Sequence, residues 1–384
     1  MSLLVIDSDS SSEHTEHESI QSGITTLDPP DPPPDPEKKL LNISFSGGGF
    51  KGAAFLGCVK ALYEHNMMKN VSSVAGTSAG AITATFLACK ADYQYMKTCM
   101  LGTLKHFEKY RITWYNLLKN AKNFTEEFGI HRTDELRAYF IECINNATNT
   151  DNDLTFIELY HLTGIKLIIT AACLDNQTPF YFSYETTRDT PISEALTISV
   201  NIPLVFTSKK FENKTLVDGC IVENLPMQCW PEYELENTLA FLVKSKNEVY
   251  EMSEPDPIDN VYEYLQKLMS SMKKEKDTWY YEKFKDTITI IMAGNISAYK
   301  KFPSKDDIHT VVHSAYFQTI KSLQTRGFLE TSEVPQGGFI SSFIVADMDS
   351  EEEEDDHIFV AYQVLSVTTL LLMLLILLHF FKKL

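Results

Sequence analysis

No Cys-x-x-Cys pair occurs in the sequence, and its seven cysteines, an odd number, are scattered over 384 residues. That excludes a disulfide framework and predicts reduced thiols in a cytosol-facing protein. A basic stripe is also missing. With a net charge of -18, the chain is not expected to bind nucleic acid. No basic start followed by an apolar run opens the chain, so no secretory signal is read there. There is no internal repeat. Ten histidines are present, yet none stands in a loop motif. His309 and His313, spaced i and i+4, read as residues on one face of a helix rather than as a general base.

The acidity is unevenly placed. Residues 1–38 hold nine acids and one Lys, residues 347–356 hold eight acids and no base, and the stretch between is close to neutral. The charge therefore belongs to two flanks and not to the fold. Residues 1–38, rich in Ser, Asp and Glu and then in Pro, read as a disordered tail ending in a stiff spacer. Residues 39–330 read as the folded domain and 331–357 as an acidic linker. The run "IFVAYQVLSVTTLLLMLLILLHFF" (358–381) has no Asp, Glu, Lys or Arg. As a helix its 24 residues would reach ~36 Å, enough for a hydrocarbon core of ~30 Å. It reads as a single transmembrane helix at the C-terminus, a tail anchor with the folded domain in the cytosol. The lysines that follow it favour the opposite orientation by the positive-inside rule, but that would require moving a whole thiol-rich domain across the bilayer.

What is present from residue 40 onward alternates strand and helix. "LLNISFS" (40–46) has the apolar run of a buried strand, and residues 51–66 have helical spacing. "VSSVAG" (71–76) is a second strand, and residues 79–90 are a second helix. Short connections between such elements predict a mostly parallel sheet covered by helices. Further strands are expected at 165–174, 178–185, 239–245 and 286–294. Helices are expected at 154–164, at 190–201 behind Pro191, and at 304–325 behind a Ser304/Asp307 capping box.

Ser78 stands in "GTSAG" (76–80), between a strand-like and a helix-like run. A serine hydroxyl needs exposure, a base within hydrogen-bond reach and N–H donors for the oxyanion before it can act as a nucleophile. Gly76 and Gly80 would permit the sharp turn that exposes it, although a small-residue turn that merely packs a helix on a sheet has the same spelling. A second glycine-rich stretch, "FSGGGFKG" (45–52), precedes the serine. Gly47-x-Gly49-x-x-Gly52 fits a dinucleotide fingerprint, but the acid that should end the next strand is absent. A phosphate loop would need Lys-Ser/Thr after Gly52, where Ala53 stands. An oxyanion hole, with the Gly48 and Gly49 N–H groups facing the serine, is what remains. In "KTLVDGCIVENLP" (214–226), Asp218 and Gly219 end a short strand. An Asp held against a serine in a partly dry pocket can take its proton directly; an ordinary turn reads the same way.

Together these blocks resemble the patatin-like phospholipase family: Gly47-Gly48-Gly49-Phe50-Lys51-Gly52, then Gly76-Thr77-Ser78-Ala79-Gly80, then "ALTISVNIPLVF" (195–206), then Asp218-Gly219 with Asn224-x-Pro226. The likeness covers about residues 40–325. It implies a three-layer α/β/α fold and hydrolysis of fatty-acyl esters of lipids without calcium or any other cofactor or metal. It makes Ser78 the nucleophile, Asp218 the base, and Gly47, Gly48 and Gly49 the oxyanion hole. Lys51 fills a position usually held by Arg or Lys, with Gly52, Gly76, Gly80 and Gly219 supporting the turns. Cys220 stands where the family usually has Gly or Ala. The implied partners are membrane lipids, as substrate, and the bilayer itself through 358–381. A triacylglycerol or lysophospholipid lipase with the same pair of residues, or an inactive membrane-anchored scaffold, fits the same blocks.

Overall fold

A computed structural model describes residues 38–110, 114–246, 280–296 and 302–330, together with Glu248, Tyr264, Lys267 and Ala298. The tail 1–37, the linker 331–357 and the apolar run 358–381 lie outside the described residues. Among the described residues no helix is long and apolar enough to cross a membrane.

Ten strands are described: β1 (Asn42–Phe45), β2 (Ser73–Thr77), β3 (Gly129–His131), β4 (Lys166–Cys173), β5 (Thr178–Phe182), β6 (Leu204–Phe206), β7 (Lys209–Phe211), β8 (Lys214–Asp218), β9 (Thr238–Lys244) and β10 (Ile288–Met292). The described helices are α1 (Phe55–Glu64), α2 (Ala79–Ala88), α3 (Tyr93–Glu108), α4 (Trp114–Lys119), α5 (Ala121–Glu127), α6 (Asp134–Thr148), α7 (Phe156–Thr163), α8 (Ile192–Ser199) and α9 (Lys305–Thr325). Local chemistry accounts for their ends. Thr155 with Glu158, and Ser304 with Asp307, form complete capping boxes on α7 and α9, which satisfy N–H groups that have no partner inside the helix. Pro191 caps α8, and Gly164 closes α7 at φ +72°.

The central sheet runs β10–β9–β1–β2–β4 in parallel. Four of its seven pairings are thus parallel, as expected, and three antiparallel pairings, β4–β5, β4–β8 and β7–β8, make the sheet mixed at one side. The cause lies in the connections. Glu212 and Asn213, at φ +48° and +65°, make a two-residue turn of the kind that returns a chain directly alongside itself. No crossover helix intervenes, so no parallel strand results.

The register at β4 decides the rest. Thr170 pairs with Thr77 of β2 and with Tyr181 of β5, while Ala171 pairs with Asp218 of β8 and with Phe180 of β5. Since β5 runs unbroken along one edge of β4, β2 and β8 must share the other edge, end to end. Residues 77 and 218 therefore occupy consecutive places on one ladder.

Strand side chains alternate between two cores, as the period of two requires. Ile43, Phe45, Val74, Leu167, Ile169, Leu239 and Phe241 enter a large cluster with side chains of α1, α2, α3, α6, α7, α8 and α9. Ala75, Ile168, Ala240 and Leu242 face the other way, onto Leu225, Met227, Trp230, Tyr280 and Phe284. Of the three layers expected, the sheet and one helical face are thus described. The second face is closed by the segment after Asp218 and by residues just before β10.

Candidate active site

Ser78 is the residue between β2 and α2, and it adopts φ +53°, ψ −121°. A non-glycine residue held there costs on the order of 1–3 kcal/mol. The turn is possible because two neighbours have no side chain. A Cβ on Gly76 would lie 2.2 Å from the Gly80 carbonyl oxygen, and one on Gly80 would lie 2.3 Å from that of Phe45. Backbone fills the space in both cases. Ser78 is 5% exposed. Its N–H donates to Ser199 Oγ at 2.9 Å, and Ser199 Oγ donates to the Thr170 carbonyl at 2.7 Å. The end of α8 thereby fixes the backbone of the turn to β4.

The Ser78 hydroxyl donates to Asp218 Oδ2 at 2.8 Å. Asp218 is 2% exposed and accepts the Cys220 N–H on its other oxygen, also at 2.8 Å. Its own N–H donates to the Asn201 carbonyl. The carboxylate is therefore oriented from both sides, with one oxygen aimed at the serine. Gly219 lets the chain pass 2.5 Å (from a built Cβ) over the Thr170 carbonyl. His309 and His313 stack on each other along α9, with ring centroids 6.4 Å apart.

The glycine run follows β1 and lies beside this pair. A Cβ on Gly47 would sit 3.3 Å from Ser78 Cβ, 2.9 Å from Asn224 Oδ1 and 2.2 Å from Cys220 Sγ. The bare Gly47 backbone is therefore what gives the Cys220 thiol its place. The three glycines are not equivalent. The Gly47 N–H is already engaged, donating to the Asn224 carbonyl at 2.9 Å. Among the described residues, the N–H groups of Gly48 and Gly49 donate to no such acceptor. Gly49, at φ +54°, starts a short helical turn through Ala54 that carries Lys51 and Gly52, the latter packed on Ala79. Lys51 is buried, and its ammonium is held by Glu248 Oε1 and Oε2 at 2.9 and 2.7 Å. Burial pushes the Glu248 carboxyl up, but Lys51 and the hydrogen bonds from Lys51 and Ser245 outweigh it and hold it below the usual carboxylate range.

Another group, not foreseen from the sequence, anchors the segment after Asp218. Glu223 is 3% exposed. Its Oε1 accepts from Tyr280 Oη at 2.6 Å and from the N–H groups of Met227 and Gln228 at 3.0 Å each. Its Oε2 accepts from Tyr181 Oη. Burial first, and then the Glu223 charge, push both phenols well above their ordinary range, so they stay donors. Four donors on one buried carboxylate make the burial tolerable. The segment so anchored touches every other part of the site. The Glu223 carbonyl accepts from Thr77 Oγ1, the Asn224 carbonyl from Gly47, and the Pro226 carbonyl from Ser44 Oγ.

The patatin-like phospholipase family model matches residues 43–228, a span that holds the glycine run, Ser78 and Asp218. Residues 43–228 are a patatin-like phospholipase domain. Over 245 residues the chain is 26% identical to an uncharacterized protein, R571, of Acanthamoeba polyphaga mimivirus, covering 62% of this chain and 77% of that one. It is 26% identical over 197 residues to the probable lipid hydrolase 463L of Invertebrate iridescent virus 6, covering 51% of this chain and 65%, just under two thirds, of the other. Among solved structures, VipD from Legionella pneumophila is similar at 18% identity and a TM-score of 0.47, covering 76% of this chain and 67% of that one. The match over residues 43–228, on a mixed α/β fold, supports the coarse function of a lipid hydrolase.

Proposed function

We propose that this patatin-like domain hydrolyses fatty-acyl esters of phospholipids through an acyl-enzyme on Ser78, with Asp218 as the base. The 2.8 Å hydrogen bond from Ser78 Oγ to Asp218 Oδ2 is the observation that carries this reading. As Oγ attacks the ester carbonyl, Asp218 takes its proton and passes it to the leaving lysolipid oxygen. Water, deprotonated by the same carboxylate, then attacks the acyl-serine, and the fatty acid leaves as Oγ is reprotonated. The Gly48 and Gly49 N–H groups are the donors assigned to the oxyanion. Gly47 is left out of that role because its N–H already has a partner. One such donor is worth ~3 kcal/mol of transition-state stabilisation.

The reading includes the membrane. Residues 358–381 are assigned as a bilayer span that keeps the enzyme at its substrate, with the catalytic domain on the cytosolic side. The cysteines agree with that side: none of the seven is in a disulfide. A fluorophosphonate probe should label the wild type and not Ser78→Ala. Asp218→Asn should lose at least about a thousand-fold in phospholipid hydrolysis while its thermal melt stays unchanged. Wild-type turnover of a panel of radiolabelled lipids would identify the head group. Undiminished activity in Asp218→Asn would end the proposal.

A further inference from the structure

We infer that residues 114–128, helices α4 and α5 with Phe128, are a docking element for a lipid surface bearing anionic phosphates. This rests on the phospholipid reading above. Within fourteen residues the chain exposes Tyr115 by 70%, Leu118 by 52%, Phe124 by 37% and Phe128 by 64%. Isolated exposed apolar side chains are ordinary; a cluster of this kind marks an interaction site. Its composition fits one kind of partner. Tyrosine and lysine are side chains that place an apolar body in lipid and a polar tip at the headgroups, and Lys119 Nζ lies over the Tyr115 ring at 6.0 Å. Residues 114–128 themselves are balanced, Lys119 and Lys122 against Glu126 and Glu127, and the positive excess lies in the flanking sequence, where Lys105, Lys109, Arg111 and Arg132 stand against Glu108 in a chain whose net charge is -18. That local excess of positive charge complements lipid phosphates, while an exposed apolar face among lysines is what a helix lying in a bilayer interface presents.

Backbone continuity ties this surface to the base. Immediately after Phe128, β3 pairs with β6, Gly129 with Leu204 and His131 with Phe206. Ser208 N–H donates to the Glu127 carbonyl and Thr207 N–H to the His131 carbonyl, both at 2.8 Å. Asn201 Nδ2 donates to the Thr207 carbonyl at 2.8 Å, and the Asn201 carbonyl receives the Asp218 N–H at 2.9 Å. A small core of Ile202, Val205 and Phe206, packed by Phe107 and Tyr110, gathers around β6 and is separate from the main one. Seating the patch on lipid would therefore bring the substrate surface to the part of the fold that holds Asp218.

The full chain is tested on dihexanoyl-phosphatidylcholine below and above its critical micelle concentration. Wild type should accelerate sharply when micelles form. Leu118→Glu/Phe128→Glu should keep the submicellar rate and lose about ten-fold of the micellar gain. A full micellar gain in the double variant, or a wild type that hydrolyses the lipid with no gain on micelles, overturns the inference. A second measurement avoids reliance on the double variant's folding. Leu118→Trp, reconstituted in phosphatidylcholine/phosphatidylserine vesicles, should lose more emission than wild type when brominated phosphatidylcholine is substituted. Emission that brominated lipid leaves untouched, because another chain segment or a second copy covers the patch, overturns it equally. Quenching of Leu118→Trp with no hydrolysis of either substrate form by wild type would sink the catalytic reading instead.

Discussion

The two halves of the candidate site are held by opposite means. The serine half, with Gly47–Gly52, β2 and the start of α2, is defined by missing side chains. Backbone lies against backbone, and atoms 2.2–2.3 Å from any built Cβ of Gly76 or Gly80 fix the turn. The carboxylate half, from Asp218 to Trp230, is defined by side chains that are present. There a buried Glu223 with four donors holds the loop that in turn holds Thr77 and Gly47. Steric definition is insensitive to pH and does not tolerate added carbon. Electrostatic definition tolerates some change of size but not the loss of an acceptor.

Adding one methyl group to the serine half gives the largest expected effect on stability. Gly80→Ala should destabilise by about 3 kcal/mol or more and abolish probe labelling at Ser78, as read by thermal melting and fluorophosphonate gels. If that variant melts and labels like wild type, the steric account of this half is wrong. Next comes removal of the buried charge from the other half. Glu223→Gln should cost roughly 2–3 kcal/mol, since one acceptor is lost among four donors, and should lower kcat more than it raises KM. A change in KM alone would show that the loop serves binding and not the placement of Asp218.

The smallest effect is expected at Lys51. Glu248→Gln should cost less than about 1 kcal/mol, because the pair is partly exposed. Its pH dependence has a definite sign. The Glu248 carboxyl sits below its ordinary value, so its contribution is complete above the usual carboxylate range and is lost as pH falls through the lowered value. Wild type and variant should differ most at neutral pH and converge in strong acid. Convergence on raising the pH would mean that the pair does not act this way.

Much of the serine half was legible in the sequence, and the carboxylate half much less. Ser78 and its glycines are contiguous, and local spelling reports a tight turn. The Asp218 position could be read only from a likeness of motifs, since nothing in "KTLVDGC" says that β8 will abut β2 along β4. Glu223 gave one weak hint, an acid directly after the apolar run Cys220-Ile221-Val222. Its donors Tyr181 and Tyr280 come from segments 42 and 57 residues away, so no periodicity could pair them. The Gly47 N–H was assigned to the oxyanion by position in the motif, and only the fold reveals its bond to Asn224. The sheet was expected to be mostly parallel because its opening strands alternate with helices. The hairpin turn at Glu212-Asn213, which adds an antiparallel pair, carries no glycine to announce it.

The head-to-head meeting of β2 and β8 also restricts how such a protein can diverge. A strand turns successive side chains to opposite faces. One residue inserted between Asn213 and Asp218 would aim the carboxylate away from the hydroxyl, and two would restore its facing but displace it by about 7 Å along the strand. Descendants of this chain are therefore free to vary the composition of that hairpin arm, whereas any change in its length has to fall elsewhere.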